Sequence, residues 1–214
     1  MTIEKGREWG EPHRVGARVV TAEDDADLAA KVDTSRRSDA IGVLFTVVSG
    51  DLAASLGHGD ERVGGHGSAN PMVYPMDLGV VEVGRTAGVV DARFPFVAHV
   101  MGRRRRWAWP EFVAMNAPLV GGLRLGPRAH PNDGLLDITV GRLPWSQVRE
   151  ARRRARTGTH LPHPALTVSR SPAREYQTAT PLRVAVDGAD GGTWTWLRVV
   201  VEPDAFRLVL PPPV

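Results

Sequence analysis

From Met76 onward the chain is a succession of short apolar or alternating runs: Leu78–Val83, Phe94–Met101, Glu111–Met115, Gly122–Leu125, Leu135–Val140, Ala165–Ser169, Leu182–Val186, Thr195–Glu202 and Phe206–Leu210. Gly, Pro or Asp fills most of the gaps. Runs of this length alternate apolar and polar side chains across the two faces of a strand, and the punctuation supplies tight turns. The pattern predicts an antiparallel β-sandwich or open barrel. One helix interrupts it, with Ser146 as N-cap, Gln147–Arg156 as body and Gly158 as stop. Pro211, Pro212 and Pro213 end regular structure.

The first third reads differently. Thr21, followed by Glu23, Asp24 and Asp25 and then Leu28, Ala29, Ala30 and Val32, predicts a short helix. Thr21 would cap it, and the acids would lie at the positive end of its dipole. Arg36–Asp39 reads as a polar turn. Ala40–Val48 is continuously apolar and β-branched, as a fully buried strand is. Ser49-Gly50-Asp51 breaks it, and Asp51–Leu56 starts a helix that Gly57 ends. Residues 58–70 are Gly-rich and polar, a surface loop. The expected fold is therefore mainly β, an antiparallel β-sandwich over residues 76–214. A small α/β N-terminal remnant would occupy residues 1–75.

Hydrophobic residues make up 42% of the 214 and charged residues 24%, which excludes a wholly disordered chain. There is no cysteine, hence no disulfide framework and no thiolate metal site. Met1–Arg14 lacks the apolar segment of a signal peptide, and no apolar run approaches the roughly 18 residues that span a bilayer. We expect a soluble cytoplasmic chain, with peripheral membrane contact left open by its basic clusters. Net charge is +3, and of the 27 basic residues only Lys5 and Lys31 are lysine.

Two segments offer chemistry on their own terms. Arg128–Leu136 is a turn in which Pro131 fixes a dihedral, Asn132 and Asp133 favour turn conformations, and Gly134 accepts a positive φ. A carboxylate beside outward-facing carbonyls makes a hard oxygen-rich corner suited to Mg²⁺ or Ca²⁺. A hydrogen-bonded turn with no metal explains the same residues. Arg103, Arg104, Arg105 and Arg106, followed by Trp107 and Trp109, combine guanidinium groups with aromatics. That mixture suits an anionic lipid surface or, less well, nucleic acid, and equally a solvated loop with its tryptophans packed inward. The arginines of Arg149–Arg156 read as a solvated helix. His160 and His163 are three apart but lack a third ligand, while His58, His66, His99 and His130 show no metal-ligand spacing.

Phe112–Val140 contains, in order, a strand, Asn116, Gly121-Gly122, a strand, Pro127-Arg128-Ala129 and Asn132-Asp133-Gly134-Leu135-Leu136-Asp137. This resembles the C-terminal domain of the bacterial diacylglycerol-kinase-type lipid kinases. Arg152–Pro164 is similar to that family's helix and following link. Leu182–Gly188 is similar to its Asp-Gly-Glu strand end, and Leu197–Leu210 to its closing hairpin. Upstream, Ile41–Gly57 resembles the strand, Gly-Thr-Gly-Asn-Asp loop and helix, and Met76–Val83 the strand entering the second domain.

The resemblance implies a structural Mg²⁺ held by Asp133 and by the backbone carbonyls of His130 and Leu135. It implies a substrate-side acid at Asp187, but the general base that would follow is Ala189, and an alanine transfers no proton; Asp190, one residue beyond, leaves a shifted base open. Ser49, Gly50 and Asp51 stand at the phosphate loop, where Thr46, Val47 and Val48 replace glycines, and no Gly-Gly-Asp-Gly-Thr occurs. With about 40 residues before that loop, a complete nucleotide domain is not expected, and neither is ATP binding. The implied function is a lipid-kinase-like protein without autonomous phosphotransfer, retaining lipid or ligand binding. Two alternatives stay open: an active lipid kinase using an atypical site or a partner chain, and an arginine-rich module for anionic surfaces or nucleic acid. Partners would be a lipid or anionic membrane surface, a second copy or a partner chain; nucleic acid is not expected.

Overall fold

The structure is a computed structural model that describes residues 9–13, 16–40, 42–57 and 71–210. Loop 58–70, the Pro211–Pro213 stop, Ile41, His58 and His66 lie outside these residues. The chain begins with β1 (Glu11–Pro12), β2 (Val19–Ala22), α1 (Asp25–Arg37), β3 (Leu44–Val47) and α2 (Asp51–Ser55). Then come β4 (Met72–Gly84), β5 (Ala92–Phe96), β6 (His99–Arg103), β7 (Phe112–Met115), β8 (Leu119–Val120), β9 (Leu123–Arg124) and β10 (Leu136–Gly141). The order closes with α3 (Trp145–Ala155), β11 (Leu166–Ser171), β12 (Ala173–Val186) and β13 (Ala189–Leu210).

The main sheet follows the order β1-β4-β13-β12-β6-β7-β10-β11, mostly antiparallel, with β5 on β4 and with β3 joined to β13. β2 and β3 run parallel in register from Val19↔Leu44 to Ala22↔Val47, with α1 as the crossover between them. The α/β part is thus hydrogen-bonded into the same sheet through Leu208↔Phe45. Position 75 lies inside the unbroken β4.

Burial explains why the runs read as they do. Val81, Val83, Phe96, Val100, Phe112, Ala114, Leu136, Ile138, Leu197 and Val199 fill the sandwich interior. Met101, Val113 and Met115 point the other way, under Val148, Ala151 and Ala155 of α3. β7 is therefore buried on both faces, which is why it lacks alternation. A third cluster packs Leu28, Ala29 and Val32 of α1 and Leu52 of α2 against Phe45, Met76, Leu78, Phe206 and Leu208.

Several boundaries differ from expectation for identifiable reasons. Asp24, not Thr21, caps α1: its carboxylate accepts from the Asp27 amide at 2.9 Å, while Thr21 sits in β2 opposite Thr46. The helix continues through Arg36 and Arg37, which leaves Ser38 and Asp39 to make the turn. Pro144 rather than Ser146 precedes α3, and no side chain caps it. Phe94–Met101 is two strands bent at Val97-Ala98. Leu123–Arg124 pairs only with Leu119–Val120, in a small separate ribbon. The expected closing hairpin is one 22-residue strand, β13. Glu202-Pro203-Asp204 looks like a turn in sequence, but it forms a bulge, with Asp204 at φ 51°, and pairing with β4 resumes at Phe206↔Met76.

Gly79 shows how closely the sandwich packs. It pairs with Phe96, whose fully buried ring lies where a side chain on residue 79 would go: a Cβ there would stand 2.2 Å from the ring. Gly79→Ala should therefore lower unfolding stability by about 2 kcal/mol or more, read as a reduced denaturation midpoint with an unchanged slope.

Candidate functional site

The turn joining β12 to β13 is a two-residue hairpin, because Val186 pairs with Ala189 and only Asp187 and Gly188 lie between. Both have positive φ, 47° and 83°, as an Asp-Gly type I′ turn requires. The turn aims the Asp187 carboxylate back at the bend between β5 and β6. There it accepts from the amides of Val97 (2.7 Å), Ala98 (3.0 Å) and His99 (2.7 Å), and its own amide donates to the His99 carbonyl. The bend leaves those amides without ladder partners, and the carboxylate satisfies them.

His99 links this turn to the α/β part. Its side chain is 2% exposed, with Nδ1 3.5 Å from Asp187 Oδ1 and Nε2 3.1 Å from Asp51 Oδ2. Asp51 opens α2 and also accepts from the Gly121 amide at 2.7 Å. Behind it, the buried Asp25 carboxylate accepts from the amides of Asp51 (2.6 Å) and Leu52 (3.2 Å). Gly50, at φ 127°, has to be glycine here, since a Cβ would sit 2.3 Å from Asp25 Oδ1. Three carboxylates and one imidazole thus converge from α1, α2, β6 and the β12–β13 turn.

Their charges are interdependent. Burial raises the Asp25 pKa, the negative charge of Asp187 adds to it, and the Leu52 and Asp51 amides offset part; the result is about 7. For His99, burial disfavours the charged ring, but its contacts with Asp187 and Asp51 outweigh that and lift it to about 10. At neutral pH the ring is an imidazolium between two aspartates.

The Asp133 turn is a second corner with other partners. Asp133 Oδ1 accepts from the Leu135 amide at 2.9 Å, and Oδ2 is paired with the Arg170 guanidinium. His130 Nδ1 accepts from the Asn132 amide, and its ring lies edge-on to Trp9. The turn wraps around Asp77, which is 1% exposed and accepts from the amides of Gly134 (2.7 Å) and Asp204 (2.9 Å). Burial, the largest influence on Asp77, raises its pKa to about 6. A Mg²⁺ ion held by Asp133 and the carbonyls of His130 and Leu135 would share the Asp133 carboxylate with the Leu135 amide and the Arg170 guanidinium. Among the described residues there is no cluster of three or more His, Asp or Glu side chains suited to a metal.

Of the residues singled out in the sequence, Asp51 and Asp187 therefore meet across His99, whereas Asp133 does not join them. Ser49 faces Glu23, to whose carbonyl both its amide and its hydroxyl donate. Ala189 is exposed, and Asp190 folds back to accept from the Gly192 amide. The four consecutive arginines separate. Arg104 turns inward to Glu111 and Thr178, Arg103 lies half-buried against the Met101 sulfur, and Arg105 and Arg106 face solvent. His160 is buried against Trp109, and His163 accepts from the Ala165 amide. The sequence reading missed Asp25, Asp77 and His99. Asp77 and His99 are lone polar residues among apolar ones, and Asp25 reads as one of several acids at the start of α1.

Comparison with known proteins places this geometry. The family described as the YegS C-terminal NAD kinase beta sandwich-like domain matches residues 91–210. Among solved structures, one provisionally assigned as a diacylglycerol kinase from Bacillus anthracis str. Sterne superposes with a TM-score of 0.58 at 12% identity. The match covers 92% of this chain and 77% of that one. A diacylglycerol kinase structure from the same organism gives a TM-score of 0.50 at 13% identity, covering 79% and 67%. No curated protein matches the sequence.

The imidazolium predicts a pH response with a definite sign. A His whose folded pKa is raised stabilises fully below its unfolded pKa near 6.5, and that contribution is lost as pH rises through the folded value of about 10. Unfolding stability should fall between about pH 7 and 10, by at most about 1.4 kcal/mol per unit. His99→Gln should flatten that slope, as measured by urea denaturation across the range.

Proposed function

Since the chain belongs to the YegS C-terminal NAD kinase beta sandwich-like domain family, and so is lipid-kinase-like, we propose that it carries out no autonomous ATP-dependent phosphotransfer and that binding of a lipid or another ligand is the function it retains. One observation carries this reading: the backbone amides at the start of α2 already hold a carboxyl group of the protein's own. A phosphate cradle needs amides free to face the ligand. Here those of Asp51 and Leu52 donate to Asp25, and those of Val48 and Ser49 donate to the carbonyls of Ala22 and Glu23.

The acid side of the site supports the same reading. Asp187 is 1% exposed at its side chain and accepts from three amides, so it meets no substrate hydroxyl in this arrangement. The next position that could supply a base is the methyl of Ala189. Phosphoryl transfer depends on positioning and on neutralising the phosphate charge, and neither is provided at this loop. One feature favours the alternative in which a partner chain completes the site. Among the described residues β2 is paired on one side only, which leaves an open parallel edge that a second chain could extend.

Titrating ATP into the full chain, with and without Mg²⁺, should show no saturable heat up to about millimolar concentration, a weak-binding limit of about 4 kcal/mol. Diacylglycerol in mixed micelles should receive no label from ATP. Mg²⁺-dependent turnover by the purified chain alone would overturn the proposal. Asp25→Ala should not restore nucleotide binding but should destabilise the fold by about 2 kcal/mol, because it leaves buried amides unpaired.

A further inference from the structure

The loop between β6 and β7 and the helix α3 are separated by some forty positions in sequence, yet they form one surface. Val148, Ala151 and Ala155 seat α3 on Met101, Trp109 and Val113. Arg152 Nη2 then donates to the Trp107 carbonyl at 2.9 Å, which brings the helix beside the loop. On α3, Trp145, Arg149, Arg152 and Arg156 recur at spacings of four, three and four. Residues so spaced share one face of a helix. Glu150 lies away from that stripe and pairs with Arg153 and Arg154. The helix therefore sorts its charges: a side on which Glu150 offsets part of the Arg153 and Arg154 charge, and a purely basic side that adjoins Arg105 and Arg106.

Among the described residues, Arg105, Arg106, Arg149 and Arg156 form no ion pair. The arginines beside or near them that do, Arg104 and Arg142, are held by Glu111. Two large indoles stand out of the same basic surface, Trp107 at 66% and Trp145 at 60% exposure.

We infer that this surface docks the protein on a membrane leaflet rich in anionic phospholipid headgroups, with Trp107 and Trp145 entering the interface and the arginines facing the phosphates. Indoles placed at a polar–apolar boundary, surrounded by basic residues, match the chemistry of that interface. Nucleic acid fits less well. Sequence-tolerant binding of a strand uses open aromatic faces for stacking, and the Trp107 ring already has the Arg106 guanidinium 5.2 Å from its centroid. The inference does not rest on the proposed loss of phosphotransfer, which is tested with nucleotide and without membranes.

The experiment is co-sedimentation of the full chain with phosphatidylcholine vesicles containing about one third phosphatidylglycerol, against pure phosphatidylcholine. The anionic vesicles should bind the chain and the neutral ones should not, and binding should weaken as salt is raised. A basic residue near such a surface contributes about a fivefold factor in partitioning, so replacing Arg105, Arg106, Arg149 and Arg156 by Gln should lower binding about a hundredfold or more. Replacing Arg153, at the margin of the stripe, and Arg154, on the opposite face, by Gln should lower it by about fivefold at most. Trp107→Ala with Trp145→Ala should abolish the blue shift of tryptophan emission on binding. The salt dependence of the unaltered protein keeps the test decisive if a variant misfolds. Equal binding to both vesicle types would overturn the inference, as would an equal loss in the Arg153/Arg154 variant. Tighter binding to a single-stranded oligonucleotide, lost with the four-arginine change, would assign the face to nucleic acid instead.

Discussion

The carboxylate of Asp187 reinforces the ladder that pairs β12 with β6 and, through His99, ties it to elements beyond that ladder. A two-residue Asp-Gly turn directs it onto the amides of Val97, Ala98 and His99, and so fixes the bend at which β5 gives way to β6. The His99 ring, oriented by that bend, reaches Asp51 at the start of α2. Asp51 in turn holds the Gly121 amide of the β8–β9 ribbon, and its own amide is held by Asp25 of α1. Charge-assisted hydrogen bonds in a buried setting are strong when every member is satisfied, and costly when one is removed. The α/β part, the sandwich and the ribbon therefore meet at one polar junction.

That junction brings together Asp51 and Asp187 across His99, with both carboxylates taken up by the protein's own groups. A carboxyl group at α2 and another at the hairpin turn are both present, but each is turned toward the protein. The amides of Asp51 and Leu52 take up Asp25, and those of Val97, Ala98 and His99 take up Asp187. Valines at positions 47 and 48 fit this state, since Val47 is buried in β3 and the strand needs no free amide there. A glycine-rich loop would leave backbone donors open at the same place.

The sandwich was legible because its strands obey alternation and its turns carry Gly, Pro or Asp; the Asn132-Asp133-Gly134 turn is clear in the residues alone, whereas Asp187-Gly188 read as a strand end and proves to be the hairpin turn itself. Tertiary pairing hid other features. Glu202-Pro203-Asp204 carries every local sign of a turn, yet β4 continues beside it and converts it into a bulge. Asp24 won the capping position from Thr21 because β2 takes the threonine into its pairing with β3. Asp25 seemed to be a first-turn acid like its neighbours, and only the approach of Gly50 makes it the partner of α2. His99 offered no motif, since its partners lie 48 residues before it and 88 after it in the chain.

The arginines give the same lesson about composition. A count of basic residues treats them alike, while the structure divides them by what they face. Arg104 and Arg142 meet Glu111, whose Oε1 accepts from both Arg104 Nη2 and the Tyr176 hydroxyl, the latter at 2.7 Å. Arg170 meets Asp133 and Asp137, and Arg36 and Arg93 join α1 to the sheet through Glu202 and Asp33. Each of these shares a carboxylate within the molecule, which weakens its field outside. Arg105, Arg106, Arg149 and Arg156 form no ion pair among the described residues and stand on one side with two exposed indoles. A guanidinium keeps its charge at every physiological pH, so this face stays cationic whatever the protonation of the buried junction. The two features answer to different variables, the junction to pH and the face to ionic strength.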